Sequence, residues 1–165
     1  MMRTWIFSIG TLLVAGLAGI TNVNQEAVAQ AAPEKVLASG EFSDDPNLRC
    51  DLLEVKRVSG GALNIRWRVV NTAGGPGGLT GTTGKSINYR FSWSELYFID
   101  PAENKKYSFL TDSAGNRVLQ VFEGQYAAGQ QRSNWAKFPA PPAASKKISI
   151  YIPKFPPFDD VPVSE

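Results

Sequence analysis

The chain has 165 residues, 17 lysines and arginines against 15 aspartates and glutamates, a single cysteine and no histidine, for a formal net charge of +2. The basic residues are interleaved with acids and form no stripe that would displace counterions from phosphates, which argues against a nucleic-acid partner. Lack of histidine removes the usual general base at neutral pH and the commonest metal ligand, so Ser-His and Cys-His catalysis are excluded, and Cys50 alone forms no intramolecular disulfide.

Residues 1–31 read as a secretory signal peptide. Met1, Met2 and Arg3 make a short positive start, an apolar run extends to Ile20, and small-x-small sites stand at Ala27-Val28-Ala29 and Ala29-Gln30-Ala31. The run is short for a spanning helix and no cysteine closes it to carry a lipid anchor. Membrane contact is therefore expected only through this segment before cleavage, and the mature protein is expected in the periplasm or the medium. Residues 32–47, small and polar with Pro33, Gly40 and Pro46, read as a flexible leader.

The folded domain is expected over 48–153. Runs at 48–58 and 62–71 flank Ser59-Gly60-Gly61, a hairpin turn in which glycine accepts positive φ. The second run alternates Leu63, Ile65, Trp67 and Val69 with Asn64, Arg66 and Arg68, a period of two that sends one face to a core and the other to water. Residues 72–86, with glycine at 74, 75, 77, 78, 81 and 84, read as a long mobile loop.

Further strands are expected at 87–93, with Tyr89, Phe91 and Trp93 on one face, and at 95–99, 105–110, 117–122, 132–138 and 148–152. Turns at Asp100-Pro101 and at Ser113-Ala114-Gly115-Asn116, and the prolines at 139, 141 and 142, punctuate them. Seven or eight short strands with no helical stripe predict an all-β antiparallel sandwich of the immunoglobulin-like kind, with a closed barrel as the second choice. Residues 154–165, with Pro156, Pro157 and Pro162, read as a Pro-rich C-terminal tail that cannot be a central strand.

Gly129-Gln130, Trp135-Ala136-Lys137-Phe138-Pro139 and Lys147-Ile148-Ser149-Ile150-Tyr151-Ile152, with the upstream Phe98-Ile99-Asp100-Pro101 hairpin and its returning Lys106-Tyr107, resemble bacterial exported immunoglobulin-like domains of the telokin-like group. A similar Trp135-x-x-Phe138-Pro139 strand, followed by a segment like Phe155-Pro156-Pro157-Phe158-Asp159-Asp160-Val161-Pro162, precedes an OmpA-like domain in some envelope proteins. The resemblance implies the fold. It carries few functional residues to transfer.

Several chemistries fail on inspection. Gly78-Leu79-Thr80-Gly81-Thr82-Thr83-Gly84-Lys85-Ser86 imitates a phosphate-binding loop, but the pattern needs glycine at 79, and the strand expected after it is not the helix whose N-terminus faces the phosphates. No nucleotide is expected. Beyond the apolar start there is one cysteine and no methionine, so neither copper nor zinc is expected, and no other cofactor is implied.

Asp44, Asp45, Asp100, Glu103, Asp112, Asp159 and Asp160 are the carboxylates a polysaccharide hydrolase or a calcium site would draw on; turn chemistry accounts for most of them. Trp67 and Trp135 are expected in the core, and Cys50 as a small buried hydrophobe. The candidate partner-binding residues are Tyr89, Phe91 and Trp93, as an aromatic platform should they lie exposed, and Phe155 and Phe158 of the tail, for which packing on the domain is the preferred alternative.

The reading is a non-enzymatic exported module that binds a protein or cell-envelope component through loops or an edge strand. The alternatives are a carboxylate-dependent envelope polysaccharide hydrolase and a structural surface or oligomer-forming protein.

Overall fold

The computed structural model describes residues 34–74 and 84–165. The signal peptide expected over 1–31, and most of the Gly-rich stretch with its imitation phosphate loop, lie outside the described residues.

Alternating side chains make this an all-β protein. Its strands are β1 (Ala38–Phe42), β2 (Asp45–Val58), β3 (Ala62–Asn71), β4 (Ile87–Tyr89), β5 (Tyr97–Asp100), β6 (Lys105–Ser108), β7 (Leu119–Gln120), β8 (Gly124–Tyr126), β9 (Gln131–Pro139), β10 (Lys147–Tyr151) and β11 (Phe158–Pro162). Among the described residues the helical content is two short 3-10 turns, Thr72–Gly74 and Trp93–Glu95, and no helix there is long and apolar enough to cross a membrane.

The strands form antiparallel sheets in the orders β1-β2-β3-β9-β7 and β11-β10-β5-β6, with a small β4-β8 pair, and do not close into a barrel. Eleven strands lie among the described residues against the seven or eight expected, because β1, β8 and β11 fall in segments that read as leader, connection and tail.

The β2–β3 hairpin follows the local rules. Val58 pairs with Ala62 across a turn whose Gly60 and Gly61 take φ of 82° and 69°, a region costly for side chains with a Cβ. Along β3, Leu63, Ile65, Trp67 and Val69 turn inward and are buried, while Arg66 and Arg68 turn outward. One core joins the sheets: Phe98 of β5 meets Phe138 of β9 edge to face, ring centres 5.5 Å apart, and stacks on Tyr107 of β6 at 4.6 Å. Cys50 lies fully within this core, and burial pushes its thiol pKa well above the ordinary value.

Three expectations are corrected. Ala38–Phe42, assigned to the leader, is edge strand β1, paired with β2 from Ala38↔Leu52 to Phe42↔Asp45. Its inward positions are Gly40 and Phe42, and a glycine facing the core carries no hydrophobic signal. Gly40 is needed there, since a Cβ would stand 2.8 Å from Pro156 Cγ.

The tail 154–165, read as lying outside the sandwich, adds a strand to it, and Phe155 and Phe158 pack on the domain as preferred. β11 pairs with β10 through Ile148↔Val161 and Ile150↔Phe158, with a register shift between them at which Asp160 takes φ of 54°. Phe155, Phe158 and Val161 are buried in the common core. The last residues then cross to the other sheet, where Ser164 N donates to Val55 O and Arg57 N to Ser164 O, both at 2.9 Å, alongside the part of β2 that β1 leaves uncovered.

Trp135, expected in the core, is half-buried on the outer face of β9 opposite Arg66. Asn134, Ala136 and Phe138 set the inward phase of that strand, and a residue between them must point outward.

Candidate functional site

At Tyr89 the chain leaves β4, and the next aromatic residues climb from the core to the surface. Tyr89 is completely buried; its hydroxyl donates to Pro153 O at 3.2 Å and its ring touches those of Phe42, Phe155 and Tyr126. Phe91 packs on Tyr89 at 5.0 Å, Trp93 on Phe91 at 5.0 Å and 69°, and Phe109 on Trp93 at 6.2 Å and 78°. Phe91, Trp93 and Phe109 are half-buried. The 3-10 turn, closed by Glu95 N to Ser92 O and Leu96 N to Trp93 O, fixes the direction of Trp93.

Opposite Trp93 stands the loop 111–117, organised around one carboxylate. Asp112 accepts the backbone N–H of Ala114 (2.9 Å) and Asn116 (2.8 Å) and the Asn116 side-chain amide (2.9 Å). These bonds, led by that from the Asn116 side chain, hold the Asp112 carboxyl below its ordinary pKa. Gly115 takes φ of 84° at the tip, and Thr111 and Arg117 bridge the base. The loop thus sets Arg117 with its guanidinium over the Trp93 ring, 4.6 Å from its centre. Beside it lies an open groove of about 420 Å³ lined by Gly115, Asn116, Arg117 and Leu119. Among the described residues Arg117 makes no ion pair, in contrast to Arg49, Arg57, Arg66 and Arg68.

Of the five candidate partner-binding residues, the structure sets Trp93 against Arg117 of this groove's lining and packs Phe91 on Trp93. It withdraws Tyr89, Phe155 and Phe158 into the core, where none is available as a contact surface. Phe109 and Arg117 were missed in the sequence. Phe109 lies near the end of the strand expected at 105–110 and Arg117 opens the one at 117–122, so nothing local marks either as a partner of Trp93.

The carboxylates are engaged structurally. Asp45 accepts Lys85 Nζ at 2.7 Å and both nitrogens of Asn47 at 3.0 Å, and these bonds, led by the Lys85 contact, lower its pKa to about 2. Asp100 is buried and accepts the Ser145 hydroxyl at 2.5 Å and the Ala102 N–H at 2.9 Å. Glu103 accepts the Tyr107 hydroxyl at 2.7 Å, Asp44 the Ser43 hydroxyl at 2.8 Å, and Asp160 faces Lys147 at 3.4 Å. Asp159 is exposed on β11.

Asp51, not singled out in the sequence, is buried beneath Arg49 (2.8 Å), Arg68 (2.9 Å) and Ser39 (2.8 Å). Burial alone would raise its pKa; the hydrogen bonds from Arg68, Arg49 and Ser39 outweigh it and hold the carboxyl below 3.8. No group of three or more His, Cys, Asp or Glu placed to hold a metal occurs among the described residues. Lys85 is tied to Asp45, its carbonyl accepts Asn71 Nδ2 at 2.8 Å, and strand β4 follows it. Among the described residues no helix N-terminus faces Lys85.

Several sheet edges are blunted against strand addition. Just past edge strand β1, Ser43 N donates to Lys154 O of the tail at 2.9 Å. β11 is bulged and ends in Pro162, and β6 exposes Lys105 and Lys106, devices that blunt edge pairing.

Comparison of the chain with family models, curated proteins and solved structures finds no match.

Proposed function

We propose that this chain is an exported, non-enzymatic binding module, an immunoglobulin-like sandwich freed of a signal peptide over 1–31 and acting in the periplasm or the medium. It engages a protein or cell-envelope component through the groove lined by Gly115, Asn116, Arg117 and Leu119, where Arg117 rests against Trp93. The observation that carries the reading is the Arg117 guanidinium, held on an aromatic ring at the wall of an open groove and without an acidic partner among the described residues. Arginine and tryptophan set on a rigid loop are the side chains that most often anchor recognition, and loops mounted on a sheet framework are where binding concentrates.

Affinity capture from the native cell envelope tests it, comparing the mature protein with the W93A/R117A double variant. The double variant should stay folded, with the Trp93 change costing about 1 kcal/mol or less, and lose the captured component. Capture at the wild-type level would remove the groove from consideration. Intact-mass measurement of the exported species should give a start at Gln30 or Ala32, and a mature protein that retains Trp5 would refute cleavage.

A further inference from the structure

We infer that the groove takes a carboxylate presented by an acidic peptide segment, with Arg117 as its anchor; this rests on the binding reading of the same groove and adds the chemistry of its ligand. The Trp93 ring holds the exposed Arg117 guanidinium by a cation–π contact at 4.6 Å, and a guanidinium carries an in-plane N–H fork that matches a carboxylate in two parallel bonds. Stacking and the Asp112-centred loop restrict the side chain before any ligand arrives, so less freedom is lost on binding.

Asn116 N, Asn116 Nδ2 and Gly115 N bond to Asp112, which leaves Arg117 as the cationic donor of the groove. Glu95, at the end of the Trp93 turn, and Glu123, whose Oε1 accepts Phe91 N at 3.4 Å, form no ion pair with Arg117 that a ligand would have to displace.

A peptide suits the site better than an acidic sugar. Sugars bind aromatic residues by lying flat on a free ring face, but Trp93 carries Arg117 over its face, and Phe91 and Phe109 meet it at 69° and 78°. What remains accessible is a cation held against an aromatic ring at an open groove. That combination suits an extended chain whose acid pairs with Arg117 while its neighbours lie against Gly115 and Leu119.

The test is a titration of the full chain with end-blocked hexaglutamate, followed by tryptophan fluorescence, with W93F to assign the signal. A saturable change is expected. It should weaken at low salt by about tenfold or more in Kd in R117A, less in R117K because lysine offers no fork, and progressively with added salt. Absence of a saturable change, or equal binding by R117A, overturns the carboxylate inference. Saturation by oligogalacturonate but not hexaglutamate assigns the groove to an acidic sugar and overturns the peptide. If hexaglutamate fails while the W93A/R117A double variant still loses its captured component, the binding reading stands and the ligand class alone falls.

Discussion

Two aromatic pairs in this chain exchange the places that composition would assign them. Phe155 and Phe158 lie among prolines in what reads as a tail, yet both are buried: Phe155 meets Phe42 at 5.7 Å and Tyr89 at 5.6 Å, and Phe158 pairs with Ile150. Phe91 and Trp93 continue a run that reads as a strand face, yet both remain half-exposed. The difference lies in the backbone. Residues 158–162 find a partner in β10 and turn Phe158 and Val161 inward, whereas the chain after Tyr89 loses its β8 partner and leaves the sheet. Pairing and phase position Phe158, and hydrophobicity alone does not decide burial.

The sharpest way to break that comparison is truncation on both sides of it. Phe158→Ala should destabilise by about 3 to 5 kcal/mol, as removal of a core aromatic does, whereas Trp93→Ala should cost about 1 kcal/mol or less. Denaturant unfolding of the two variants decides it, and equal losses would mean that the groove aromatics belong to the core.

A smaller effect tests whether the tail is packed against β1. Gly40→Val puts a side chain where a Cβ already stands 2.8 Å from Pro156 Cγ, so it should cost about 1 to 3 kcal/mol through overpacking. Removing residues 156–165 would relieve that particular clash. In the shortened chain the valine should therefore cost less, and an undiminished cost would separate Gly40 from the tail.

The smallest expected effect is electrostatic and involves neither aromatic pair, which makes it a control on the framework beneath both. Asp51 titrates below 3.8 in the fold, so its contribution is present above the unfolded value and is lost as pH falls through the lower folded one. Thermal unfolding from pH 6 to pH 2 should show a steeper decline below about pH 4 for the wild type than for D51N. Asp45 and Asp112 shift in the same direction in both proteins, so the difference between the curves belongs to Asp51. Parallel curves would show that the Arg49–Asp51–Arg68 cluster adds nothing to acid stability.

The sequence by itself determined what short-range periodicity and turn chemistry can express. The alternation of Leu63 to Val69, the glycines at 60 and 61, and the Ile148/Ile150 pattern yielded β3, its hairpin with β2, and β10, and with them an all-β antiparallel fold. The one-residue error in the glycine pattern before Lys85 was also visible without coordinates.

Tertiary structure alone decided which weakly patterned segments became strands. β1 has a glycine on its core face, β8 has three residues, and β11 is framed by prolines, so their pairing depends on partners distant in the chain. The phase of Trp135 was set by Ala136 and Phe138 meeting the opposite sheet. The groove was illegible for the same reason: Trp93 and Arg117 are 24 positions apart, and no local pattern says that a turn stabilised by Asp112 will lay a guanidinium on an indole. Side-chain period is a property of a strand taken alone, whereas pairing and cross-loop contact belong to the folded chain as a whole.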